Sequence, residues 1–72
     1  MADTLDTLPA GRWAAIRAVT HSQRLLELGF VPGTIVRAVQ ISPLGDPVAY
    51  EVLDAVIALR RCDARCVHIT AL

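Results

Sequence analysis

The residues best suited to chemistry are Cys62, Cys66 and His68, which lie close together near the C-terminal end of the chain. Thiolate and imidazole groups bind zinc and other transition metals. Cys66 and His68 fall on one face of a predicted strand, and Cys62 lies across the adjoining turn, so the three side chains can converge. A structural zinc site normally takes four protein ligands, however, and a fourth is missing. The alternative interpretation is two reduced cysteines beside a surface histidine, and we assign no metal ligand.

The sequence contains no recognisable catalytic constellation. No serine or cysteine has a histidine and an acid at a spacing typical of nucleophilic catalysis. Gly29 and Gly33 do not form a phosphate-binding Walker motif, and His21 is interpreted as a solvated residue at the start of a helix. With 72 residues and 54% hydrophobic content, almost every element must contribute to one core. We therefore predict a protein that is not an enzyme and binds no cofactor.

The charge balance disfavours a nucleic-acid partner. The chain has seven arginines, no lysine and seven acidic residues, so its net charge is zero. Domains that bind phosphates usually carry a basic surplus, and few aromatic residues are present for base stacking. A small SH3-like or Sm-like barrel that binds nucleic acid remains an alternative. The only basic cluster is Arg60, Arg61 and Arg65, either a solvated face or a contact for an acidic surface.

The chain is predicted to be cytoplasmic. Its first residues are acidic and lack the basic-then-apolar order of a signal peptide. No apolar run approaches the ~18 residues of a membrane span. Cysteines in this compartment stay reduced.

The hydrophobic pattern predicts about five short strands and one short helix. Thr20 and Gln23 have the spacing of a capping box, and Gly29 suits the left-handed position that ends a helix, so the helix is expected near residues 21–28. Proline and glycine at 32 and 33 favour a type II turn. Strands are expected at 12–19, 34–42, 48–53, 56–60 and 66–70, after an N-terminal arm over residues 1–11 and with a tight corner at 54–55.

Short strands joined by tight turns expose their edges and one face when they form a flat sheet. Curling into a small barrel removes both problems. We therefore predict a mainly β fold, a small SH3-like barrel of about five strands with one short α-helix, as a single domain over residues 1–72. Two interpretations of Trp13 are open, since Ala14 and Ile16 take the inward phase of its strand, but the core is favoured because tryptophan is highly buried on average.

Three segments resemble the ferrous iron transport protein A family. RLLELGFVPGT at residues 24–34 is similar to that family's RLLxLGFxPGT stretch, and SPLGDPV at 42–48 resembles its APLGDPI turn. IALRR at 57–61, with Ala64, Val67 and Ile69, resembles its closing IALRxxEAxxIxV pattern. Ser42 and Asp63 are mild departures. Cys62, Cys66 and His68 lie outside the pattern, so the resemblance implies nothing about them.

The resemblance implies an SH3-like barrel that serves as a cytoplasmic accessory protein of bacterial ferrous iron uptake. The partner it implies is the large ferrous iron permease, which carries a cytoplasmic GTP-binding domain. It implies no catalysis by this chain, and contact with the membrane only through that partner. A homo-oligomer is left open.

The turn at residues 43–47 is the predicted contact surface. Loops of SH3-like barrels present binding surfaces, and a rigid loop loses less entropy on association. Pro43 and Pro47 restrict the backbone, Gly45 lets it turn, and Leu44 can point outward as an apolar anchor. The alternative is a well-formed hairpin with no partner. The predicted partner-binding residues are Pro43, Leu44, Gly45, Asp46, Pro47 and Arg60.

Overall fold

The computed structural model describes residues 3–72. Its strands are β1 (Asp3–Thr4), β2 (Trp13–Val19), β3 (Ile35–Ile41), β4 (Val48–Val52), β5 (Ala55–Leu59) and β6 (Val67–Ala71). Two short helices, α1 (Gln23–Glu27) and α2 (Arg61–Ala64), and a 3-10 turn at Leu5–Thr7 complete the elements. The predicted mainly β fold is confirmed, with six strands instead of about five and two short helices instead of one.

The strands form one antiparallel sheet in the order β1-β6-β2-β3-β4-β5. Two register shifts interrupt it, one in β2 between Ile16 and Ala18 and one in β3 between Ala38 and Gln40. Such bulges bend a strand and increase its twist, which allows the sheet to curl around its inner face.

The core follows the alternation of the strands. Alternation in the sequence places Val48, Tyr50 and Val52 on one face of β4, and in the structure this face is buried while the neighbouring residues are partly exposed. Val67 and Ile69, which the sequence pattern places inward, contribute in the same way from β6. Each large side chain removed from water stabilises the fold by roughly 1.5–3 kcal/mol. The core also includes Leu5, Leu8, Ala14, Ile16, Leu25, Phe30, Val36, Ala38, Leu59 and Ala64.

Helix α1 ends as predicted but does not begin as predicted. The Gly29 N–H donates to the Leu26 carbonyl oxygen (3.1 Å) and the Phe30 N–H to that of Leu25 (3.0 Å), with Gly29 at φ 109°. This is the Schellman arrangement. The expected capping box is wrong, because His21 has φ 56° and the N-cap is Ser22, whose hydroxyl accepts from the Leu25 N–H over 3.2 Å.

The sequence predicted the turn before β3 correctly and placed the turn after β4 one residue too late. The Thr34 N–H donates to the Val31 carbonyl oxygen over 3.0 Å, and Gly33 has φ 93°, which confirms the type II turn. The corner after β4 lies one residue earlier than expected, at Leu53 and Asp54, where φ is 50° and 65°.

The N-terminal arm is more structured than predicted. The arm's first two residues lie outside the described part of the chain, but Asp3 and Thr4 pair with Ile69 and His68 as strand β1. Leu5 is fully buried, and its carbonyl oxygen accepts from the Tyr50 hydroxyl over 3.3 Å. The arm therefore closes one side of the core.

Trp13 does not belong to the core, so that prediction is wrong. Its side chain is 43% exposed on the outer face of β2, because the strand's inward phase is taken by Ala14 and Ile16. The Arg37 guanidinium carbon lies 4.9 Å from the centroid of the indole ring, and Arg37 also pairs with Glu51 (2.7 Å).

Candidate partner-binding loop

Residues 43–47 join β3 to β4 in a tight, hydrogen-bonded loop. The Gly45 N–H donates to the Ser42 carbonyl oxygen over 2.7 Å, with Gly45 at φ 84°. The Ser42 hydroxyl donates to the Pro47 carbonyl oxygen over 2.7 Å, and the Asp46–Pro47 peptide bond is cis. The base of the loop is thus closed by its own residues.

Arg61, the first residue of α2, holds the loop from outside. Its guanidinium Nε donates to the Gly45 carbonyl oxygen over 2.6 Å, and its backbone N–H donates to Asp46 Oδ1 over 3.0 Å. The Nη1 of the same guanidinium donates to the Asp6 carbonyl oxygen over 3.1 Å. One side chain therefore ties the loop, α2 and the N-terminal arm together.

Leu44 projects from this fixed backbone into solvent. Its side chain is 95% exposed, the largest exposed fraction among the exposed large hydrophobic residues. Pro43, Asp46 and Pro47 are also exposed. An apolar side chain held outward on a constrained loop has the form of an interface anchor, because little conformational freedom remains to be lost on binding.

Arg60 lies beside the loop but does not hold it. Its guanidinium pairs with Asp63 over 3.2 Å, and its side chain is 67% exposed. The hydrogen bond to Asp63, reinforced by the carboxylate charge, raises the pKa of Arg60 above its ordinary value. Asp63 also pairs with Arg24 of α1 over 3.4 Å. Arg60 is therefore a solvent-facing cation next to an apolar loop tip.

Sequence reasoning grouped the three arginines as one basic cluster and missed the different role of Arg61. Arg65 pairs with Asp6 over 3.5 Å and is 68% exposed, so Arg60 and Arg65 face solvent while Arg61 points back to the loop. The sequence offered one indication of this difference. Arg60 and Arg61 directly follow Leu59, the last residue of β5, and the side chains of successive residues at a strand end point in different directions.

The structure does not bring Cys62, Cys66 and His68 together as a metal site. Cys62 lies in α2 and is exposed, and the half-buried Cys66 thiol donates to the Cys62 carbonyl oxygen over 3.9 Å. His68 Nε2 lies 3.5 Å from the Thr20 hydroxyl. Within residues 3–72, no three or more His, Cys, Asp or Glu side chains are grouped so that they could hold a metal ion.

Tyr50 is an acidic group whose pKa is strongly raised, and the main cause is burial of its side chain in the core. The side chain is 1% exposed, and burial raises the pKa of its phenol from 10.0 to about 12. Its hydroxyl donates to the Leu5 carbonyl oxygen in the core, and the charges of Arg61, Asp6 and Asp46 affect its pKa less than burial does. We assign it to stability and not to chemistry.

A groove with a volume of ≈ 200 Å³ is lined by Leu8, Pro9, Arg12, Trp13, Ala71 and Leu72. Small-molecule sites usually enclose roughly 300–1,000 Å³.

None of the helices formed by residues 3–72 is long and apolar enough to cross a membrane.

A comparison with protein families decides the identity of this domain. The family model of the FeoA domain matches residues 4–71, almost the whole chain. The chain belongs to the FeoA family.

Solved FeoA structures share the fold. FeoA from Chlorobium tepidum is 28% identical, superposes with a TM-score of 0.89, and the match covers 97% of this chain and 70% of that one. The zinc complex of FeoA from Stenotrophomonas maltophilia is 36% identical with a TM-score of 0.84, covering 96% and 91% of the two chains. That protein is a prokaryotic SH3 domain protein and a candidate activating factor for ferrous iron transport. The predicted SH3-like fold is therefore confirmed.

A curated relative places a FeoA domain beside a transporter in one polypeptide. It is the Fe(2+) transport protein A/Fe(2+) transporter FeoB fusion protein of Porphyromonas gingivalis (strain ATCC BAA-308 / W83), 50% identical over 42 residues. The matched stretch covers 58% of this chain and only 5% of the fusion protein. The names of this fusion protein and of the Stenotrophomonas protein both link FeoA domains to ferrous iron transport.

Proposed function

We propose that this protein is a cytoplasmic accessory protein that binds the ferrous iron permease and acts on its GTP-binding domain or its assembly. The fusion of the two proteins in Porphyromonas gingivalis supports this partner, because a covalent link keeps two domains at high effective concentration. The FeoA domain has no catalytic part in this proposal, so GTP hydrolysis belongs to the permease.

The contact surface in this proposal is the loop at residues 43–47 with the neighbouring Arg60. The observation that carries it is the pairing of a fixed backbone with an exposed apolar tip: Arg61 binds Gly45, and Leu44 is 95% exposed. An apolar anchor at the centre of an interface commonly contributes ~2 kcal/mol or more to binding. Arg60 adds a cation at the rim, where it steers association with an acidic surface.

A charge-reversal pair tests this surface. Purified domain is titrated against the purified permease and, separately, against its isolated GTP-binding domain, at low and at moderate salt. Arg60→Glu should weaken binding, whereas Arg65→Glu should not, although the two side chains are equally exposed at 67% and 68%. Absence of binding by the wild-type domain would refute the proposed partner. Equal losses in the two variants would place the contact away from Arg60.

A further inference from the structure

Strand β5 forms one edge of the described sheet and is composed only of apolar residues. It pairs with β4 on one side, and no other strand of residues 3–72 lies on the other. Its sequence, Ala55–Leu59, contains no charge and no proline. Val56 is 64% exposed, and Ala55 and Ala58 are also exposed. Natural proteins usually protect such an edge with charges, proline or a covering segment, because an open edge invites pairing with another strand.

The open side presents the backbone of Val56 and Ala58. The hairpin between β4 and β5 turns at two residues with positive φ, Leu53 and Asp54, as in a type I′ turn. Ala55, Ile57 and Leu59 then exchange hydrogen bonds with β4, so the N–H and C=O groups of Val56 and Ala58 point away from it. Among the described residues, neither has a backbone partner on that side.

The edge is complementary to itself in one register. When two copies of β5 run antiparallel about a two-fold axis at Ile57, Val56 of one copy lies opposite Ala58 of the other. These are the residues whose free groups can form hydrogen-bonded pairs. Continued by one residue beyond each end of β5, the same register brings Asp54 in the turn of one copy towards Arg60 of the other, so a negative and a positive residue approach each other at each end of the paired edge. Both residues are exposed.

We propose that two copies of this chain associate edge to edge through antiparallel pairing of their β5 strands. The pairing joins the two sheets into one continuous sheet and forms four backbone hydrogen bonds at Val56 and Ala58. A peptide of another protein can add to the same edge, but the match between Asp54 and Arg60 is a property of this chain paired with itself. A five-residue edge buries less than the ~1,200 Å² of a standard interface, so the dimer is weak and depends on concentration.

Amide hydrogen exchange in the intact chain, measured by NMR at increasing protein concentration, reads out this pairing directly. The Val56 and Ala58 amides should exchange progressively more slowly up to millimolar protein, in parallel with a rise in weight-average mass by sedimentation equilibrium. Unchanged exchange with a monomeric mass at millimolar protein would overturn the proposal. Slowed exchange confined to other amides would also overturn it, by placing the self-contact elsewhere.

Two sets of variants test the backbone hydrogen bonds and the charge pairs of the dimer separately. Ala58→Pro removes the free N–H and should raise the dimer Kd by about tenfold or more, whereas Ala58→Thr keeps that donor and should leave the Kd within about threefold. Mixing Asp54→Arg protein with Arg60→Asp protein should give heterodimers, while each variant alone stays monomeric. Circular dichroism checks that the variants fold, and a mixture that dimerises no better than its components contradicts the register.

Discussion

Arg61 and Gly45 are sixteen positions apart in the chain, yet the Arg61 Nε donates to the Gly45 carbonyl oxygen over 2.6 Å. The same guanidinium reaches the carbonyl oxygen of Asp6. The contact loop is therefore held by a residue outside it, and its outward tip depends on a side chain that makes no contact with the partner in our proposal.

Replacing Arg61 with methionine should loosen the loop and lower stability. The variant retains an apolar stem but loses both guanidinium hydrogen bonds, to Gly45 and to Asp6. Bonds from charged donors contribute roughly 1.5–3 kcal/mol each where buried, and partial exposure reduces this, so we expect a loss of about 1–2 kcal/mol. Urea unfolding gives the free energy, and NMR order parameters at residues 43–46 report the loop.

Arg60→Met is the matched control for Arg61→Met. Its guanidinium bonds only to Asp63 among the described residues and is largely exposed, so its loss should leave stability close to that of the wild type. Loop order parameters that stay at the wild-type level in Arg61→Met would contradict the positioning role.

Gly29→Ala should destabilise the protein more than Gly33→Ala. Both glycines have positive φ, which costs an ordinary residue roughly 1–2 kcal/mol. A Cβ at Gly29 would also lie 3.0 Å from Leu53 Cδ1, whereas a Cβ at Gly33 would meet nothing within 4 Å. Thermal unfolding of both variants measures the difference. Equal losses of stability would show that the Leu53 side chain moves aside at little cost.

Tyr50 should make stability fall at high pH. Its folded pKa is raised from 10.0 to about 12, so the folded protein holds the phenolic proton more tightly than the unfolded chain. Titration of Tyr50 therefore leaves stability unchanged below about pH 10 and lowers it between pH 10 and 12, by up to about 1.4 kcal/mol per pH unit. Because Tyr50 is the only tyrosine, tyrosinate absorbance follows its titration directly.

Tyr50→Phe is the control for this pH dependence. It should lose about 1 kcal/mol at neutral pH with the hydrogen bond to Leu5, and should then show a flatter stability profile above pH 10. A wild-type phenol that titrates near pH 10 would contradict its placement in the core.

The sequence predicted the parts of the fold that depend on local rules. Gly29 and Gly33 marked the helix end and the type II turn, because positive φ is costly for other residues. Inner-face residues of β4 followed from strict alternation. Strand β1 was missed, since two residues show no periodicity and their pairing with β6 depends on distant residues. Trp13 was misplaced because its average burial was weighed above the phase of its own strand.

The stiffness of the 43–47 loop was predictable from the sequence, but the way in which the loop is held was not. Proline and glycine identified the stiff loop, and nothing local indicated that Arg61 secures it while Arg60 faces solvent. That distinction depends on how α2 packs beside the loop in three dimensions.

Contact between the loop at residues 43–47 and the permease is tested by the Kd of Leu44→Asp for the purified permease. We expect an unchanged unfolding temperature, since Leu44 is 95% exposed, and a Kd raised more than about tenfold by a carboxylate in a desolvated contact. Leu44→Met keeps an apolar tip and should bind within about threefold of wild type. If folded Leu44→Asp binds the permease as tightly as the wild type, the loop is not the contact surface.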